Sequence, residues 1–103
     1  MSDETWRSQH AVVEQIARGM FQCPIPLIAA VNGVAMGGGA EIALCCDFIY
    51  AADHARFAFP EVTRGIMPGM AGPQNLPRAV GVRRAKEIIL TGLPFSAEEA
   101  HDW

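Results

Sequence analysis

The chain has 103 residues, with 8 Lys+Arg against 11 Asp+Glu for a formal net charge of −3; half of its residues are hydrophobic and 18% are charged. That apolar content excludes intrinsic disorder, and an acid excess without a basic cluster argues against a nucleic-acid module. The charged fraction lies below the usual ~25%, and a domain this small has little interior, so part of the apolar surface is expected to meet a partner subunit or further segments of the fold.

Met1 to His10 are polar and hold no apolar h-region, so no secretory leader is expected, and no apolar run approaches the ~20 residues of a membrane span. The three cysteines are an odd number, and the adjacent Cys45 and Cys46 would project about 100° apart on a helix, a poor geometry for pairing. A soluble, reduced, cytoplasmic protein is the expectation.

In chain order, Trp6, Val12 or Val13, Ile16, Ala17, Met20 and Phe21 recur at three- and four-residue steps, which predicts a helix capped by Ser2 or Asp3 and ended by Cys23-Pro24-Ile25-Pro26. Leu27-Ile28-Ala29-Ala30-Val31 reads as a strand buried on both faces. Residues 33–39 read as a glycine-rich turn and 40–46 as a short helix. Phe48-Ile49-Tyr50-Ala51 reads as a second buried strand and Phe57-Ala58-Phe59 as a third extended piece. Residues 65–72 form a loop with several unusual backbone angles, followed by helices over about 74–80 and 82–90. Ser96 and Glu99 form a capping box for a last helix, which the chain leaves barely two turns later with Trp103 unburied. A sequence that stops inside a larger fold is the expectation.

Gly37-Gly38-Gly39 stand between a strand and a helix, where uncovered amides at the positive end of the helix dipole can hold a phosphate or the oxyanion developing on a thioester carbonyl. Tight strand-to-helix packing is the plainer alternative. Glu41 and Glu61 each interrupt an apolar segment, a costly placement for a carboxylate unless it is paired, hydrated or functional. For Glu41 the helix dipole offers a bland explanation. Two isolated acids in apolar surroundings are nevertheless what proton transfer through a bound water needs. His10 is assigned to the polar face of the first helix, His54 to a turn and His101 to the chain end. No His or Cys pair has metal-ligand spacing, so no metal site is expected. No nucleophile elbow surrounds a serine, and Arg78, Arg83, Arg84 and Lys86 read as a solvated basic patch.

The run Ile28-Ala29-Ala30-Val31-Asn32-Gly33-Val34-Ala35-Met36-Gly37-Gly38-Gly39-Ala40-Glu41 resembles the central signature of the crotonase (enoyl-CoA hydratase/isomerase) superfamily. The likeness continues in one register through Cys46-Asp47, Pro60-Glu61, Gly65-Ile66-Met67-Pro68-Gly69, Leu90-Thr91-Gly92 and Phe95-Ser96-Ala97-Glu98-Glu99-Ala100. It implies an α/β chain forming the central part of a crotonase (ClpP-like) spiral fold of ββα units over residues 1–103, without the family's early strands and C-terminal helices.

The same resemblance implies site roles. Gly38 matches the residue whose amide forms half of the oxyanion hole. Glu41 matches the acid that helps activate the water adding at C3, and Glu61 the acid that exchanges the C2 proton. Gly37, Pro60 and Gly69 match positions lining the acyl pocket. The substrate implied is an acyl-CoA thioester, with no separate cofactor and no metal. A homo-oligomer, a trimer or dimer of trimers, is the implied assembly, with no nucleic-acid or membrane partner. Keeping both acids favours a hydratase. An isomerase or another acyl-CoA enzyme, and a catalytically silent truncated module, are the alternatives. Departures at Ala71-Gly72-Pro73-Gln74-Asn75, Phe59 and Arg64 bear on acyl preference.

Overall fold

The computed structural model describes residues 2–103. Helix α1 (Asp3–Phe21) starts at Ser2, whose Oγ accepts the Thr5 amide at 3.1 Å, and Asp3 and Glu4 place negative charge at the favourable end of the dipole. The helix runs through Gly19, and Pro24 bars its extension. None of its residues is buried. It lies across α2 (Gly38–Cys45) as a surface cover.

Between these helices, β1 (Ile28–Val31) and β2 (Val34–Met36) lead into α2. Then β3 (Phe48–Ala51) and β4 (Arg56–Ala58) lead through a 3₁₀ turn, Pro60–Arg64, to α3 (Gly72–Val80). Strand β1 pairs in parallel with β3, Ile28 opposite Phe48, and β2 pairs in parallel with β4, Met36 opposite Ala58. Equivalent strands of two successive ββα units therefore lie side by side, which is one step of a spiral. Helix α4 (Val82–Thr91), strand β5 (Phe95–Ser96, antiparallel to β4) and α5 (Ala97–Asp102) complete the chain.

The core gathers Phe57, Phe59, Leu76, Ile88 and Phe95 with small residues Ala40, Ala55 and Ala85. Alanines on α2 and α4 let these helices approach the sheet closely, while the aromatic rings fill the space between. Phe57 and Phe95 stack with centroids 5.6 Å apart. Among the described residues no helix is long and apolar enough to cross a membrane.

Several expectations need correction. Val34-Ala35-Met36, read as part of a turn, is strand β2; three residues between Asn32-Gly33 and Gly37 carry no periodicity, and the pairing that makes them a strand lies about twenty residues ahead in β4. The strands β1 and β3 are not buried on both faces. Ile28, Phe48 and Tyr50 stay exposed, because hydrophobicity tells what a strand can bury and not what lies against it. The short strand β5 has only two residues, too few to carry a pattern. Trp103, expected unburied, is half-buried: its ring tilts against Phe95 at 5.1 Å, and the Arg84 guanidinium lies 4.3 Å above it. The apolar indole thus shields the core edge while the cation keeps its face to water.

The Ser96 capping box is present in full, Oγ accepting the Glu99 amide at 3.0 Å and the Glu99 carboxylate accepting the Ser96 amide at 3.1 Å. Ser96→Ala is expected to lower stability by about 1 kcal/mol, read as a lower urea midpoint at unchanged slope. An unmoved midpoint would show that the box contributes nothing net.

Candidate active site

The turn from β2 into α2 builds the site. Gly37 has φ +57° and ψ −122°, a conformation open to glycine and strained for other residues. Its amide is taken, donating to the Ala58 carbonyl at 2.9 Å, which ties the turn to β4. Gly38 and Gly39 open α2, and amides of a first helical turn have no preceding carbonyl of the helix to bond. A Cβ at Gly38 would meet nothing within 4 Å, so the backbone there lies open to a ligand. Of the three glycines, Gly37 makes the turn and Gly38 offers a donor at the positive end of the dipole.

Glu41 is buried, 3% exposed, in the first turn of α2. Its Oε2 accepts the amides of Met70 and Gly72, the latter at 2.9 Å. Those two hydrogen bonds stabilise the buried charge and fix the carboxylate, leaving Oε1 as the oxygen with free lone pairs. Glu61 comes from the 3₁₀ turn after β4 and packs against Gly37. Its Oε2 would lie 3.5 Å from a Cβ at that glycine, and its Oε1 is buried with no hydrogen-bond partner. The two acids, twenty residues apart in sequence, both touch the Gly37 turn: the Glu61 side chain packs on Gly37, and the Glu41 main-chain amide bonds the Gly37 carbonyl at 3.0 Å.

A cleft of about 240 Å³ is walled by Gly38, Glu41, Gly69 and Met70 and faced by Trp6, Gln9, His10 and Val13 of α1; Gly37 and Glu61 are not part of its lining. Gly69 thus lies on the same cleft as Glu41 and Gly38. Pro60 lies away from this cleft, packed near Gly92 at the end of α4, where a Cβ on that glycine would come within 3.4 Å of the Pro60 Cα. A larger cavity of about 410 Å³ lies between α2, α3 and α5, and neither acid lines it.

Three features have no counterpart in the sequence pattern. His10, assigned to a polar face, stacks on Trp6 and faces the cleft. The amides that hold Glu41 are backbone groups and leave no mark in the order of side chains. The strained angle of the 65–72 loop falls on Ala71 (φ 62°) as well as Gly65, whereas Gly72 is required for space: a Cβ there would press to 2.9 Å from Glu41 Oε2 and 3.1 Å from Pro68 Cβ. Gly72→Ala is accordingly expected to push Glu41 off its amides, costing about 1–3 kcal/mol in urea unfolding. Gly33→Ala, where a Cβ meets nothing within 4 Å, is the control and should leave the midpoint in place.

Cys23, Cys45 and Cys46 are free thiols. Burial pushes the Cys45 thiol above its ordinary range, with Cys46 and Glu41 adding to the effect, so it is a poor nucleophile. Asn75 Nδ2 reaches its sulfur at 3.7 Å. Among the described residues no cluster of three His, Cys, Asp or Glu could hold a metal ion.

Stacked ββα units with a glycine-built helix start, Glu41 in its first turn and Glu61 packed on Gly37 define an α/β fold of the crotonase type. The sequence model of the enoyl-CoA hydratase/isomerase family matches residues 3–103, and the chain belongs to that family. It is 55% identical over 75 residues to a crotonyl-CoA hydratase of Syntrophomonas wolfei and 51% identical over 80 residues to an enoyl-CoA isomerase/hydratase of Mycosarcoma maydis. These alignments take in 73% and 77% of this chain. The crystal structure of an enoyl-CoA hydratase from Bacillus anthracis matches with a TM-score of 0.95 at 45% identity, covering 99% of this chain and 40% of that one. The chain spans 29% of the length of the curated relatives it matches.

Proposed function

We propose that these residues form the catalytic turn of an enzyme that adds water across the C2=C3 bond of a 2-enoyl-CoA thioester. The observation that supports this reading is a buried carboxylate, Glu41, on the same cleft as the open amide of Gly38, with Glu61 packed against the adjoining Gly37. As water adds at C3, the thioester carbonyl gains enolate character, and the Gly38 amide with the α2 dipole behind it stabilises the growing negative charge. Glu41, held through Oε2, keeps Oε1 for the hydrogen of the attacking water. Glu61, with an unpartnered carboxylate oxygen, is suited to carry the proton that ends on C2. Oxygen bonds C3, a proton passes through the acid pair, and C2 receives one, so the elements of one water are added. Acyl-CoA is the substrate, and this reaction draws on no separate cofactor.

Double-bond isomerisation is the second reading, favoured by the isomerase/hydratase name of the Mycosarcoma maydis relative, because moving a proton between C2 and C4 needs only the acid at Glu61. The test supplies the complete gene product with crotonyl-CoA and with a 3-enoyl-CoA. Formation of 3-hydroxyacyl-CoA from the first supports hydration. Conversion of the second to the 2-enoyl thioester without hydration of either would replace that assignment by isomerase. The isolated 103 residues, which span 29% of the length of the curated relatives they match, are expected to turn substrate over poorly, since loss of even a single oxyanion donor typically costs about 10²–10³ in rate. We further infer a cytoplasmic homo-oligomer, trimer or dimer of trimers, which would cover exposed apolar residues such as Val34, Ile28 and Tyr50.

A further inference from the structure

The face of the cleft opposite Glu41 and Gly38 is made by α1, and its composition is unlike the rest of that helix. Trp6 and His10 stand one turn apart on one helix face, with rings 5.0 Å apart and only 6° from coplanar. The Trp6 side chain belongs to no core: the residue is 57% exposed, and α1 buries no residue. Both rings nevertheless line the cleft that holds Glu41 and Gly38, with Gln9 and Val13 beside them.

We propose that the Trp6–His10 stack is the specificity-determining wall of the acyl site, admitting short 2-enoyl groups and blocking chains much longer than four carbons. The proposal rests on the hydratase reading and deepens it. The cleft measures about 240 Å³, and the Trp6 indole is the bulkiest side chain on it, so on the α1 side the two rings limit how far an acyl group can extend. Two flat rings stacked in parallel stiffen each other, and an aromatic side chain gives up little rotamer freedom on being fixed. Such a wall discriminates by shape at small entropic cost. Removing the indole frees the room it takes on the α1 side of the cleft, where further methylenes can lie. Trp6 and His10 are specificity residues here, with no part in proton transfer.

The experiment compares kcat/KM for crotonyl-CoA and 2-octenoyl-CoA in the complete gene product, as wild type, Trp6→Ala and Trp6→Phe. Trp6→Ala is expected to raise the octenoyl-to-crotonyl ratio about tenfold or more, on the scale at which apolar pockets sort chain length, with Trp6→Phe close to wild type. A ratio within twofold of wild type in Trp6→Ala overturns the proposal. Calorimetric binding of the same two thioesters supplies a second measurement that does not depend on turnover. If the wild type hydrates neither, the hydratase reading fails, while a tenfold shift of the binding ratio in Trp6→Ala would still uphold the wall and an unchanged ratio would sink it.

Discussion

Glu61→Gln is expected to lower crotonyl-CoA hydration by about 10²–10⁴, the usual contribution of one positioned acid or base. The side chain keeps its volume and its place against Gly37, so the loss should fall on kcat with KM little changed and the urea midpoint nearly unmoved. Stability has little to lose because Oε1 is buried without a partner in the folded protein, and an amide there replaces no hydrogen bond. Incorporation of deuterium at C2 from heavy water should fall in parallel with hydration. Hydration lost while C2 exchange persisted would move the C2 proton to another group and leave Glu61 a role in water placement alone.

Glu41 is expected to separate structure from chemistry. Glu41→Ala removes the acceptor of the Met70 and Gly72 amides and leaves two buried N–H groups unpaired, at about 1–3 kcal/mol each. A total of about 2–6 kcal/mol is a large part of the stability of a small domain, and the segment from Pro68 to Gly72 should loosen with it. Glu41→Gln retains a carbonyl oxygen for the same amides and should cost only about 1 kcal/mol, the difference between a charge-assisted and a neutral hydrogen bond. Both variants should lose about 10² or more in hydration rate. Unfolding curves and initial rates measured on the pair check this: equal stability losses in the two variants would show that the amides do not depend on Glu41, and a fully active Glu41→Gln would remove the carboxylate from the chemistry.

The two expectations differ because the fold treats the acids differently. Glu41 belongs to a helix and is bound by backbone from a loop about thirty residues on, so its chemistry and its anchoring share one carboxylate. Glu61 comes from a 3₁₀ turn whose Pro60 sits against the end of α4. There Gly92, at φ +66°, leaves room for Val62, whose Cγ1 would be 3.0 Å from any Cβ at that position. The turn is thus positioned by packing, and the Glu61 carboxylate is left with an oxygen free for a ligand.

Local rules were enough for what depends on near neighbours. Ser2, Pro24, the Ser96–Glu99 box and the 3.6-residue spacing of Trp6 to Phe21 set helix limits that the structure reproduces within about two residues, since capping and proline exclusion act within one turn. The glycine run and the two acids also stood out, because a carboxylate inside an apolar stretch is anomalous at any fold. What spans the fold was decided elsewhere. β2 is a strand only because β4 pairs with it, β1 and β3 are open because among the described residues Ile28 and Tyr50 stay exposed, and Gly72 is a glycine because Glu41 occupies the space of its missing side chain. His10 gained its place over the cleft the same way, through the lie of α1 on α2. Residue order alone thus determined which groups could do chemistry, whereas pairing and packing between distant segments decided which of them face one another, since those contacts depend on positions twenty or thirty residues away that no local pattern encodes.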